Sequence, residues 1–134
     1  MKAYSKFGIN LATFIGGPLA GGFLLSQNFE AFNKPEFVGK SMIIAVIITV
    51  VVLAILMLFP ETLSGGLPNF LPLVFVGISQ FIINKYQSDD FDTFLENDGQ
   101  FYSSWRAVGF ALLFVLITLI LALVMFILAD FFIA

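Results

Sequence analysis

Four long runs without a charged residue dominate the chain: residues 7–29, 41–60, 62–84 and 107–129. Each is about 20 residues or longer, the length a helix needs to cross a hydrocarbon core of roughly 30 Å. Backbone polar groups in lipid must be hydrogen-bonded within the segment, so such runs insert as helices. The pattern predicts an all-α, polytopic integral membrane protein. Four transmembrane helices, over about 7–27, 41–60, 66–84 and 105–130, would pack as a bundle of two helical hairpins in a single domain, 1–134. Segments 28–40 and 85–104 would then be amphipathic loops on one side of the membrane.

The four runs differ in quality. The second holds thirteen Val, Ile, Leu or Phe between Met42 and Phe59, with Thr49 its one polar residue. At about −0.3 to −0.6 kcal/mol each, these favour insertion by roughly 4 to 8 kcal/mol. The fourth is equally clean apart from Thr118. The first carries Gly8, Gly16, Gly17, Gly21, Gly22 and Pro18, with Asn10 and Thr13. Pro18 cannot donate to the carbonyl of Phe14, so a kink is expected there. The same glycines and proline argue against reading the first run as a cleaved secretory signal. The third run carries Pro68, Pro72, Gly77, Asn69, Ser79 and Gln80. A re-entrant hairpin is conceivable for this third run, but its length and polar flanks favour a full crossing.

Composition removes most chemistry. Hydrophobic residues make up 60% of the chain and charged residues 11%, against about 25% charged in soluble domains. There is no Cys and no His, which removes thiolate chemistry and the commonest general base and metal ligand. A net charge of −3 with six Lys and Arg speaks against a nucleic-acid partner. No charged side chain falls inside a run, so proton relays and voltage sensing are not expected. The carboxylates of Asp89, Asp90, Asp92, Glu96 and Asp98 cluster, but their spacing fits no calcium loop. No nucleophile and base can be paired, so no catalytic residue, cofactor or metal is expected.

Orientation rests on the cations. In a four-crossing chain, Lys34, Lys40, Lys85 and Arg106 lie on one side and Lys2 and Lys6 on the other. The positive-inside rule then places segments 28–40 and 85–104 in the cytoplasm and both termini outside. Tyr4, Tyr86, Tyr102 and Trp105, with Arg106, flank the runs as interface anchors. Phe29 and Phe32 beside Glu30 and Lys34, and Phe91, Phe94 and Leu95 opposite the acidic residues, give each loop an amphipathic character.

The small residues of the first run are the sharpest motif. Gly8, Ala12, Gly16 and Ala20 recur every four residues, and Gly17 and Gly21 add a second pair. Such ladders allow close backbone approach between helices in lipid. They suit a non-enzymatic protein that acts by helix packing, as a homo-oligomer or a subunit of a membrane complex. The alternative is a passive channel for ions or small solutes, lined by Asn10, Thr13, Asn69, Ser79 and Gln80. A membrane immunity protein against a pore-forming toxin matches in size and helix number. Pro18-Leu19 with Ser26-Gln27 echoes Pro72-Leu73 with Ser79-Gln80, compatible with two copies of one helical hairpin.

The strings FIGGPLAGGFLLSQNFEAFNK (14–34), LPNFLPLVF (67–75) and YSSWRAVGF (102–110) resemble a group of small four-helix integral membrane proteins common in Bacteroidota. The likeness implies a bacterial inner-membrane location and carries no activity with it. Small fluoride channels have a similar length and an early Gly-Gly. The arginine after those glycines and the Phe-Thr-Thr-Phe-type stretch are missing here, so that match is rejected.

Overall fold

The computed structural model describes residues 2–59 and 67–133. The chain is almost entirely helical. In order come a short strand β1 (Lys2–Ala3), α1 (Lys6–Ala31), α2 (Glu36–Leu58), α3 (Leu67–Ile82), a π-helical turn (Ile83–Gln87), α4 (Ser88–Glu96), a second short strand β2 (Gln100–Phe101) and α5 (Ser104–Ile133). Three of these helices, α1, α2 and α5, are long and apolar enough to cross a membrane. The expected turn after the second run, near residues 60–66, lies outside the described residues.

Local sequence explains where the helices start and stop. The Ser5 hydroxyl accepts from the Gly8 amide at 3.0 Å, capping α1. α1 ends with Asn33 at φ 62°, and the Lys34 amide reaches back to the Phe29 carbonyl at 2.7 Å. α4 ends the same way, with Asp98 at φ 57° and the Gly99 amide on the Phe94 carbonyl at 2.8 Å. Both are Schellman closures, with Asn and Asp in the left-handed position they tolerate better than most residues. α1 therefore runs to Ala31 and α2 starts at Glu36, leaving little of the expected 28–40 loop. Within 85–104, only α4 keeps the expected amphipathic form, with Phe91 buried and Asp89, Asp92 and Glu96 exposed.

The kink expected at Pro18 takes the form of a sharp break at the preceding residue. Gly17 has φ 77° and ψ −165°, outside any helical region, a conformation open essentially to glycine alone. Residues 6–16 and 18–31 are thus two arms joined at a sharp break. The Tyr4 amide donates to the Asn28 side-chain oxygen at 2.8 Å, and the Asn28 side-chain nitrogen donates to the Tyr4 carbonyl at 2.9 Å. In a straight helix these positions would stand about 36 Å apart. Thr13 and Gly21, about 12 Å apart in a straight helix, meet so closely that a side chain on Gly21 would collide with the Thr13 hydroxyl. The arms are antiparallel, and α1 is a helical hairpin with both ends on one side.

Every other element locates that same end. Phe37 at the start of α2 stacks on Phe29, with ring centroids 5.1 Å apart. Gln87, at the end of the π turn after α3, donates to the Leu25 carbonyl at 3.1 Å. Arg106 at the start of α5 donates to the Tyr4 hydroxyl at 2.9 Å. β1 pairs in parallel with β2, Lys2 opposite Gln100 and Ala3 opposite Phe101. Hence α2 and α5 run away from this end and α3 runs toward it. Residue 4 and residue 130 sit at opposite ends, which corrects the expectation of both termini on one side. The chain is also not two copies of one hairpin. α1 folds back at Pro18, whereas α3 continues as helix through Pro72.

The core is built around α1, on which α2, α3 and α5 each pack. Ile9, Ala12, Ala20 and Leu24 are fully buried. In α2 and α5, by contrast, few residues are fully buried and one face of each helix is exposed, as lipid-facing helices require.

Candidate functional site

The hairpin apex is the natural centre of the molecule. Gly16, Gly17 and Pro18 border one cavity together with Thr49 and Leu53 of α2, Leu71 and Phe75 of α3, and Val115 and Thr118 of α5. Thr49 is thirteen residues into α2 and Thr118 fourteen into α5, so the apex is about 20 Å from their starts. Non-helical backbone at that depth is tolerated only where protein or a water-filled cavity surrounds it.

Two cavities flank the apex. One of about 330 Å³ lies on the side of the tethered ends, between α1, α2 and α3. One of about 280 Å³ lies beyond the apex, among α2, α3 and α5. Both are lined by Pro18 and Phe75, which stand between them. Both walls are mainly apolar, with Thr13 and Ser79 facing the first and Thr49 and Thr118 the second.

Beside the first cavity, α1 and α3 share a polar network. The Asn10 side-chain nitrogen donates to Gln80 Oε1 at 2.7 Å, and the Ser79 hydroxyl donates to Asn10 Oδ1 at 3.2 Å. Gln80 Nε2 in turn donates to Asn84 Oδ1 at 2.9 Å. Asn10, Ser79 and Gln80 are thus brought together as the polar pattern suggested. Asn84 completes the network and was missed, although its i+4 spacing from Gln80 could have found it. Thr13 turns its hydroxyl back onto the Ile9 carbonyl at 2.7 Å. Asn69 is exposed, eleven residues or about 16 Å along α3 from Gln80, and does not join the others.

The small-residue ladder packs inside the chain. A Cβ on Gly16 would lie 2.7 Å from the Ala111 carbonyl oxygen, and one on Gly8 would lie 3.6 Å from Ala107 Cβ. Ala12 and Ala20 are fully buried, and Gly21 abuts Thr13 across the hairpin. Gly17 forms the break itself. Gly8, Ala12, Gly16, Ala20 and Gly21 are thus buried within the chain, where Gly8 and Gly16 approach α5, while Gly17 is half-buried with nothing packed on it.

The expected anchors divide. Trp105 is 82% exposed and Tyr86 is also exposed. Tyr4 is buried instead. Its ring lies 4.8 Å from that of Tyr102, and the Arg106 guanidinium stacks 4.3 Å above Tyr102. Lys34 joins the two polar segments, reaching the Asp90 carboxylate at 2.6 Å and the Tyr86 carbonyl at 3.0 Å. Asp90 Oδ2 has no partner beyond that ammonium. Among the described residues, no group of three or more acidic side chains is placed to hold a metal ion. Neither a protein-family model, nor a curated protein, nor a solved structure matches this chain.

Proposed function

We propose that the chain is a non-enzymatic membrane protein that passes a small solute through the break in α1. In this reading α2, α3 and α5 cross the bilayer, and α1 enters from one side and returns. The observation that carries the reading is the pair of cavities meeting at Pro18 and Phe75 beside broken backbone at mid-depth. Re-entrant and interrupted helices at membrane depth are where channels and transporters place their pathways. The apolar constriction at Phe75 would gate by dewetting, while Thr13 and Ser79 hydrate the approach. The test is flux through liposomes holding the purified protein, across a panel of cations, anions and small neutral solutes. Phe75→Ala should raise flux and Phe75→Trp should lower it. An inert wild type across the whole panel overturns the reading.

The same geometry supports an orientation. Lys2, Lys6, Lys34, Lys40, Lys85 and Arg106 all gather at the tethered end, and the far end has none. The positive-inside rule then places that end, with the N-terminus, in the cytoplasm. The inner membrane of a bacterium, suggested by the sequence resemblance, fits this reading.

A second reading, subunit of a membrane complex, is favoured by the far halves of α2, α3 and α5. The hairpin stops at mid-depth, so no central helix supports them there, and a partner helix would fill that gap. Native mass spectrometry in mild detergent separates the two: monomers throughout contradict self-assembly.

A further inference from the structure

The first cavity has a feature that a solute path does not need. α2 and α3 both pack on α1 but scarcely on each other, so the cavity opens sideways between them. Ile44 is 51% and Ile78 38% exposed at that opening. The cleft runs from Lys40 to Ile48 on α2 and from Tyr86 in the π turn to Phe75 on α3, about 12 to 16 Å along the helices. One leaflet of hydrocarbon is about 15 Å deep, half of the roughly 30 Å core. Its wall is mainly apolar along this length, with Thr13 and Ser79 as the inner polar residues, and it is most polar at the mouth. There Lys40, Ser41 and Tyr86 line it. Lys40 packs over the Phe37 ring, and no carboxylate among the described residues pairs with it. Of the other cations near this mouth, Lys34 is held by Asp90 and Lys85 lies over the Phe81 and Tyr86 rings. An unpaired ammonium beside a hydroxyl and a phenol, above an apolar slot one leaflet deep, matches the two halves of an anionic amphiphile.

We propose that this cleft seats an anionic phospholipid of the leaflet at the tethered end. Its phosphate binds Lys40, Ser41 and Tyr86, and one acyl chain lies between α2 and α3 as far as Pro18 and Phe75. That chain fills the chamber below the constriction, so the lipid regulates the passage. The regulatory part rests on the solute-path reading; the binding site does not.

The test is native mass spectrometry of the full chain in mild detergent, with phosphatidylglycerol or phosphatidylcholine of equal chain length added. Wild type should retain phosphatidylglycerol about fivefold better, the preference that one cation of about 1 kcal/mol provides. Lys40→Gln, at an exposed position, should abolish the preference and leave weak binding of both lipids. Ile44→Trp, at the exposed opening, should fill the slot and abolish retention of either. Equal retention of the two lipids by wild type, or a preference that survives Lys40→Gln, overturns the site. In liposomes, wild-type flux should fall as the phosphatidylglycerol fraction rises. Lipid retention without any flux defeats the solute-path reading and leaves the site standing. Flux without selective retention defeats the site alone.

Discussion

Replacing Gly17 by alanine separates a folded-back α1 from a straight one by the sign of the effect. In a straight helix, exchanging an interior glycine for alanine stabilises by roughly 0.5–1 kcal/mol, through reduced freedom of the unfolded chain and better helix propensity. In the hairpin, Gly17 holds φ 77° and ψ −165°, where a residue with a Cβ bears about 1–3 kcal/mol of strain. A Cβ there would meet nothing within 4 Å, so no collision contributes and the backbone alone decides. Gly77→Ala supplies the internal control, because Gly77 lies within α3 and its Cβ would also meet nothing within 4 Å. Equilibrium unfolding in mixed micelles, followed by far-UV circular dichroism, should show Gly17→Ala less stable than wild type by about 1–3 kcal/mol. Gly77→Ala should be equal to wild type or slightly more stable. If Gly17→Ala matches Gly77→Ala, the left-handed break is wrong.

The remaining expectations probe the packing around that break. Asn28→Ala leaves the buried Tyr4 amide and carbonyl without partners and should cost roughly 2 kcal/mol or more, whereas Gln27→Ala, exposed one residue earlier, should change stability by less than about 0.5 kcal/mol in the same unfolding assay. In this cysteine-free chain, Thr13→Cys with Gly21→Cys should form a disulfide under mild oxidation, read as a loss of two hydrogens in the intact mass, because Thr13 Cβ is 3.2 Å from where a Gly21 Cβ would stand; two persistent free thiols would speak for separated positions. Gly22→Val would push into Ala45 and toward the Ser41 carbonyl, and should lower unfolding stability by about 1–3 kcal/mol through overpacking of α1 on α2.

How much of this was legible in the sequence follows from what each signal measures. Apolar length found the helices well, because insertion depends on composition summed over a segment. It did not show that the kink expected at Pro18 folds α1 back on itself, because a run of 23 residues reads the same whether straight or folded at its middle. Pro18 and Pro72 look alike in a hydropathy plot, and both were flagged as interruptions. Their outcomes differ through the preceding residue. Proline disfavours helical geometry in its predecessor; Gly17 can turn to positive φ, while Leu71, with a Cβ, stays helical. The grouping of Asn10 with Ser79 and Gln80 was readable because polar side chains in apolar runs seek one another. The Asn28 clamp on Tyr4 was not, since its two halves are 24 residues apart and meet only once α1 has folded. Placing Tyr4 at a lipid interface followed from reading that break as a kink within one crossing, whereas the fold-back buries Tyr4.

The most direct test of the account is the sidedness of three single cysteines, at Ser5, Ser88 and Asp130, in the otherwise cysteine-free chain. A membrane-impermeant thiol reagent is applied to intact cells and then to opened membranes. A hairpin α1 followed by three crossings puts positions 5 and 88 on one side and position 130 on the other. With the cations inward, only position 130 should react in intact cells, and positions 5 and 88 only after opening. A straight α1 followed by three crossings instead puts 5 and 130 together and 88 opposite. Labelling of 5 and 130 from the same side would contradict the folded-back helix on which the account depends.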